Sequence, residues 1–164
     1  MRSLAILSAF FVVGFANAQG SQTETTTKTT HPTVDISEKI FDPTRDTAKD
    51  IAAAIKLAGK QNKHILLDVG GNWCPWCHKL DHLFKTDKEV ATLLKQYIVV
   101  QVDFSKGHEN KEVLANYPKV AGYPHLFVLD KAGKLIQSQD TGKLESGDHH
   151  DPAKVIEFLT KFAK

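Results

Sequence analysis

An α/β fold, with a sheet covered by helices on both sides, follows from three features of this 164-residue chain. Segments 64–69, 97–104 and 125–129 are short and almost continuously apolar, the pattern of strands buried on both faces. Stretches with helical spacing lie between and before them, at 46–61, 76–94 and 109–116. Such alternation places a parallel sheet core between two helical layers. The third feature is a change of pattern in the last third, where two strand-like runs meet across Asp130-Lys131-Ala132-Gly133.

The elements follow in order. Residues 1–18 read as a secretory signal: Arg2, an apolar run over 4–15, then Ala16-Asn17-Ala18 before a cleavage point near Ala18. That run is shorter than the roughly 20 residues a membrane-crossing helix needs, so no stable membrane span is expected. Residues 19–33 hold no aromatic or branched aliphatic side chain to bury and read as a flexible leader. A domain of about 130 residues follows from about Val34, the common size for one core. Ala48, Ile51, Ala52, Ile55 and Ala58 form one face of the first helix. Segments 125–129 and 134–139 form an antiparallel hairpin, and 140–150 is a polar, Gly-containing loop. Asp151-Pro152 caps a last helix whose buried face is Val155, Ile156, Leu159 and Phe162.

Charge excludes one class of partner. Without Arg2, 20 basic side chains face 19 acidic ones, and Arg45 is the single remaining arginine. The basic residues are scattered lysines and the guanidinium fork that reads phosphates and guanine is nearly absent, so no nucleic-acid partner is expected.

All sulfur chemistry must occur at Trp73-Cys74-Pro75-Trp76-Cys77, which holds the two cysteines of the chain. Two thiols at this spacing suit a reversible disulfide ring or half of a tetrahedral metal site. Helical phase separates them: Cys77 is in register with Leu80 and Phe84 on the apolar row, whereas Cys74 is in register with His78 and Asp81 on the polar row. Cys74 is therefore expected as the exposed nucleophile and Cys77 as the shielded resolving thiol. A helix N-terminus favours the thiolate, the species that attacks disulfides. Pro75 suits the first turn because it lacks an N–H.

A strand before this motif, a helix after it, and Gly122-Tyr123-Pro124 opening a distant strand together resemble the thioredoxin-like superfamily. The resemblance covers about 44–164, which makes 19–43 the leader and 44–164 a thioredoxin-like domain with a central mixed sheet flanked by helices. It implies an exported thiol-disulfide oxidoreductase that needs no cofactor. Asp68, six residues before Cys74 in an otherwise apolar strand, matches the family's buried acid, which assists proton transfer at the resolving cysteine. Pro124 matches the cis-proline beside the sulfurs, so that Tyr123 and His125 border the site. Trp73 and Trp76 flank the sulfurs, and the resemblance puts Trp76 at the exposed rim, where it would contact partner proteins.

The implied partners are thiols and disulfides of exported proteins, with an upstream electron donor or acceptor protein, in the periplasm or outside the cell. Pro-Trp between the cysteines is similar to the dipeptides of glutaredoxins and some periplasmic oxidants, yet the frame lacks a large helical insertion. It is more similar to small exported reductases or to the end domain of membrane electron transporters. Reductase or isomerase-type exchange is the expected activity, with a disulfide-forming oxidant as one alternative. A zinc or copper carrier built from Cys74, Cys77, His78, His82 and His125 is another. A third is an interaction module that keeps the fold without turnover.

Overall fold

Asp46 begins the first helix by accepting the Lys49 N–H at 3.1 Å, and α1 runs Thr47–Gln61 until Asn62 closes it in the left-handed conformation. The computed structural model describes residues 34–164; the expected signal and the leader through residue 33 lie outside the described residues. Strand β1, His64–Gly70, follows at once. Helix α2 spans Pro75–Thr86 and α3 spans Lys88–Leu94. Strand β2, Tyr97–Asp103, and the short helix α4, Lys111–Leu114, lead to the hairpin of β3, His125–Leu129, and β4, Leu135–Asp140. Helix α5, Pro152–Phe162, ends the fold, capped by the Asp151 carboxylate on the Ala153 N–H at 2.9 Å.

The sheet order is β2-β1-β3-β4. Strands β1 and β2 are parallel, while β3 runs antiparallel to both β1 and β4. The sheet is thus mixed, and among the described residues its parallel part is one strand pair. Side-chain alternation along β1 divides the core. Ile65, Leu67 and Val69 pack under α1 with Phe127 and Leu129. Leu66 faces the other way, against Leu80 of α2, Val90 of α3 and Leu159 of α5. Each such fully buried aliphatic side chain stabilises the fold by about 1.5–3 kcal/mol.

Four local expectations are corrected. The helical stretch 76–94 is two helices, because Asp87 is extended and its carboxylate accepts the N–H groups of Glu89 and Val90, which caps a new start. The stretch 109–116 shrinks to α4, after Asn110 in the left-handed region (φ 48°). The loop 140–150 contains a 3-10 turn, Thr141–Leu144, and a small ribbon of β5, Glu145–Ser146, with β6, His149–His150. Finally, the leader does not extend to residue 43: Ile40 and Phe41 are buried, since they form the one adjacent apolar pair between residues 19 and 43 and reach a covered site.

Candidate functional site

Gly70 ends the central strand, and a turn closed by the Cys74 N–H on the Gly71 carbonyl at 3.0 Å delivers the chain to the start of α2. Cys74 is the N-cap of that helix and Pro75 its first residue. Cys74 and Cys77 form a disulfide with their Cα atoms 5.3 Å apart. The Cys77 N–H donates to Cys74 Sγ at 3.1 Å. After reduction, that N–H and the helix dipole favour the Cys74 thiolate.

The expectation that Cys74 is exposed is corrected: both cysteines are 3% exposed. Ile40 and Phe41 pack over them, with Trp76 and Tyr123 alongside. Asn72 holds this cover in place. Its Oδ1 accepts the N–H groups of Ile40 and Phe41 at 2.8 and 3.0 Å, and its Nδ2 donates to the Phe41 carbonyl at 2.6 Å. The supposedly polar row of α2 is buried as well. His78 is 2% exposed and donates from Nε2 to the Asn72 carbonyl at 3.0 Å. Asp81, also buried, pairs with Lys85 at 2.8 Å, and Lys85 reaches Glu38 at 2.6 Å.

Asp68 lies on the Leu66 side of β1, the side that carries α2. It is 4% exposed, and its Oδ1 has no hydrogen-bond partner among the described residues. Burial, then the nearby Asp81 carboxylate, push its pKa up to about 7. Gly70, two residues on, leaves the space that the Cys77 sulfur fills. The buried acid and the inner sulfur therefore share one face of one strand.

The Tyr123–Pro124 bond is cis, and the Pro124 carbonyl accepts the buried Thr141 hydroxyl. Tyr123 stacks on Phe104 at 4.8 Å and meets Trp73 edge-on at 5.5 Å. Trp73 donates from Nε1 to the Phe104 carbonyl at 2.9 Å yet stays 54% exposed. Trp76, expected at the rim, is instead half-buried between the His150 ring, 5.2 Å away, and the Lys79 ammonium, 4.4 Å from its centroid. Of the two tryptophans, Trp73 presents the open ring.

The metal ligands considered do not converge. His125 lies on the α1 side of β3 with Phe127, where it bonds Ser138 Oγ at 2.9 Å. His78 is engaged by Asn72. Among the described residues, no group of three or more His, Cys, Asp or Glu is arranged to hold a metal ion.

Three contributors escaped the sequence reading: Phe41, Asn72 and His150. The Ile40-Phe41 pair inside a polar run was the available signal for the first. Nothing local marks Asn72. His150 donates from Nε2 to the Trp76 carbonyl at 3.2 Å, a contact made across 74 positions.

A redox-active pair at the start of a helix, behind the central strand of this mixed sheet, defines the class of thiol-disulfide oxidoreductases with the thioredoxin fold. Residues 46–131 match the family model described as Thioredoxin-like, and the chain belongs to that family. It is 34% identical over 92 residues to the thiol:disulfide interchange protein DsbD of Actinobacillus pleuropneumoniae, which covers 56% of this chain and 16% of that one. The DsbD of Haemophilus ducreyi is 30% identical over 78 residues, or 48% of this chain and 14% of that one. The chain thus spans a small part of these relatives. In fold it is similar to a disulphide isomerase from Xylella fastidiosa Temecula1, with TM-score 0.67, 23% identity and coverage of 76% of this chain and 96% of that one. The C-terminal domain of Neisseria meningitidis DsbD in the oxidised form gives TM-score 0.54 and 22% identity over 71% of this chain and 96% of that one. No helix among the described residues is long and apolar enough to cross a membrane.

Proposed function

We propose that this protein exchanges electrons with exported proteins through Cys74 and Cys77, acting as a reductase or isomerase-type partner in the periplasm. The observation that carries the reading is the Cys74–Cys77 disulfide at the N-terminus of α2 with a buried carboxyl, Asp68, on the strand behind it. In the reduced protein the Cys74 thiolate attacks one sulfur of a partner disulfide, and the other partner sulfur leaves as a thiolate. Asp68 accepts the Cys77 proton, directly or through water. The Cys77 thiolate then attacks Cys74 Sγ, which closes the ring and releases the second partner thiolate. A group with a pKa of about 7 both takes and returns a proton near neutrality.

The DsbD relatives and the signal-like residues 1–18 support a periplasmic location and an upstream redox protein. The mass of the protein recovered from an exporting cell tests the cleavage near Ala18. Insulin reduction tests the activity: wild type turns over, and Cys74→Ser abolishes it, whereas Cys77→Ser traps a mixed disulfide on Cys74. Turnover by Cys74→Ser removes the assignment. The reduction potential of the pair tests the direction: a value near about −270 mV supports a reductase, and one near about −120 mV makes the protein an oxidant.

A further inference from the structure

The disulfide of a thiol-exchange protein must be reached by a sulfur approaching along the S–S axis, yet here both cysteines are 3% exposed. Four side chains pack around them: Ile40, Phe41, Trp76 and Tyr123. Two of these are fixed from outside the site. Trp76 lies between His150 and Lys79, and Tyr123 lies against Phe104 and Trp73. Ile40 and Phe41 are held differently. They are the two buried residues in an otherwise exposed run over 35–43 that belongs to no sheet or helix. This strap is fastened by the Asn72 side chain and by the exposed Glu38–Lys85 ion pair. The strap is therefore the part of the cover that can leave without breaking a helix or a strand.

Its fastening also indicates what can replace it. Asn72 reads backbone alone, accepting two N–H groups and donating to one carbonyl. A polypeptide segment that makes the same bend as Phe41 brings the same donors and acceptor, so it exchanges for the strap with the Asn72 hydrogen bonds conserved. A small thiol replaces only part of this: glutathione has two amide groups but no apolar side chain to take the places of Ile40 and Phe41 over the sulfurs, so its entry uncovers them and leaves strap groups unpaired.

We propose that the strap carrying Ile40 and Phe41, fastened by Asn72, is a selectivity gate that closes the Cys74–Cys77 disulfide to small thiols and yields to a flexible polypeptide segment of a partner protein. The inference rests on the exchange activity proposed above and names its substrate class. In the reaction considered, an incoming thiolate bonds to Cys74 Sγ, the Cys74–Cys77 bond breaks, and Cys77 leaves as a thiolate that takes up a proton. A second thiol of the reductant then displaces Cys74, which ends reduced.

The test compares the rate at which the oxidised full chain is reduced by glutathione and by a reduced, unfolded dithiol peptide, in wild type and in Asn72→Ala. The expected result is a glutathione rate raised about tenfold or more, from the loss of three neutral hydrogen bonds that hold the gate. The peptide rate changes much less, so the preference for the polypeptide thiol collapses, while the reduction potential of the pair stays within error of wild type. Glutathione rates that agree between the two proteins overturn the gate, and so does an equal rise with both reductants, which makes the strap a plain barrier. Should Asn72→Ala lose its cooperative unfolding transition, Glu38→Gln carries the comparison, because it removes the exposed Glu38–Lys85 pair and leaves Lys85 paired with Asp81. There a glutathione rate raised about twofold supports the gate, in keeping with a surface pair, and an unchanged rate overturns it. If neither reductant opens the disulfide in any variant, exchange itself is refuted and the gate with it; if both act at wild-type rates throughout, only the gate falls.

Discussion

A methyl group added to Gly70 would stand 2.5 Å from the Cys77 sulfur, so the last residue of the central strand and the inner cysteine occupy one packed space. The Phe41 ring borders the same space, 3.0 Å from that point. Gly70→Ala is expected to destabilise the oxidised protein by about 1–3 kcal/mol, the usual result of overpacking a filled interior. Because the shift falls on Cys77, release of mixed disulfides slows more than their formation. Denaturant unfolding and trapping of the mixed disulfide measure the two effects, and an unchanged unfolding midpoint refutes the first.

Asp68 gives a pH-dependent counterpart. With a native pKa of about 7 against an ordinary 3.8, the folded protein keeps a proton that the unfolded chain has already released. Stability therefore falls as pH rises between these values, by on the order of 4 kcal/mol. Asp68→Asn removes that slope, so the variant gains relative stability towards pH 8, less about 1–3 kcal/mol for an amide with too few partners. Its release of mixed disulfides is slower near neutrality. Wild-type release rates across pH 6 to 8 in the variant would take Asp68 out of the mechanism.

The two tryptophans beside the cysteines separate into different roles. Trp73 is more than half exposed, with one hydrogen bond to Phe104, whereas Trp76 fills a half-buried slot between His150 and Lys79. Trp73→Ala is expected to cost about 1 kcal/mol of stability and to weaken exchange with protein substrates. Trp76→Ala costs about twice as much, through lost packing. Equal unfolding midpoints for the two variants contradict this division.

Much of this arrangement was legible because it is local. The apolar runs of β1 and β3, the Asp151 cap and the phase of Cys77 all rest on spacings of a few residues. Asp68 stood out because a carboxylate is costly in a doubly covered strand. What escaped is made at long range: Asn72 meets Phe41 across 31 positions, and His150 meets Trp76 across 74. Phase on α2 correctly turned Cys77 inward, but it could not show that residues outside the helix cover Cys74, His78 and Asp81 as well. A helical pattern states which face is polar, and only the packing states whether that face meets water.

His150 and Asp68 oppose each other in pH. Burial holds the His150 imidazole at a pKa of about 4, below the ordinary 6.5, although its bond to the Trp76 carbonyl acts in the other direction. With Nε2 donating to Trp76, a further proton would go to Nδ1, which is buried with no hydrogen-bond partner among the described residues. Between about pH 4 and 6.5 the unfolded chain binds a proton that the native imidazole refuses, so this group makes stability rise with pH, by on the order of 3 kcal/mol. Asp68 makes it fall across nearly the same window. The two slopes largely cancel in wild type, and each single variant uncovers the other. Relative to wild type, His150→Gln should lose stability steadily as pH rises from 4 to 7, Asp68→Asn should gain it, and the double variant should return to a wild-type slope. Urea unfolding at four pH values from 4 to 7 measures all four proteins, and a His150→Gln profile parallel to wild type would show that the buried imidazole titrates as it does in the unfolded chain.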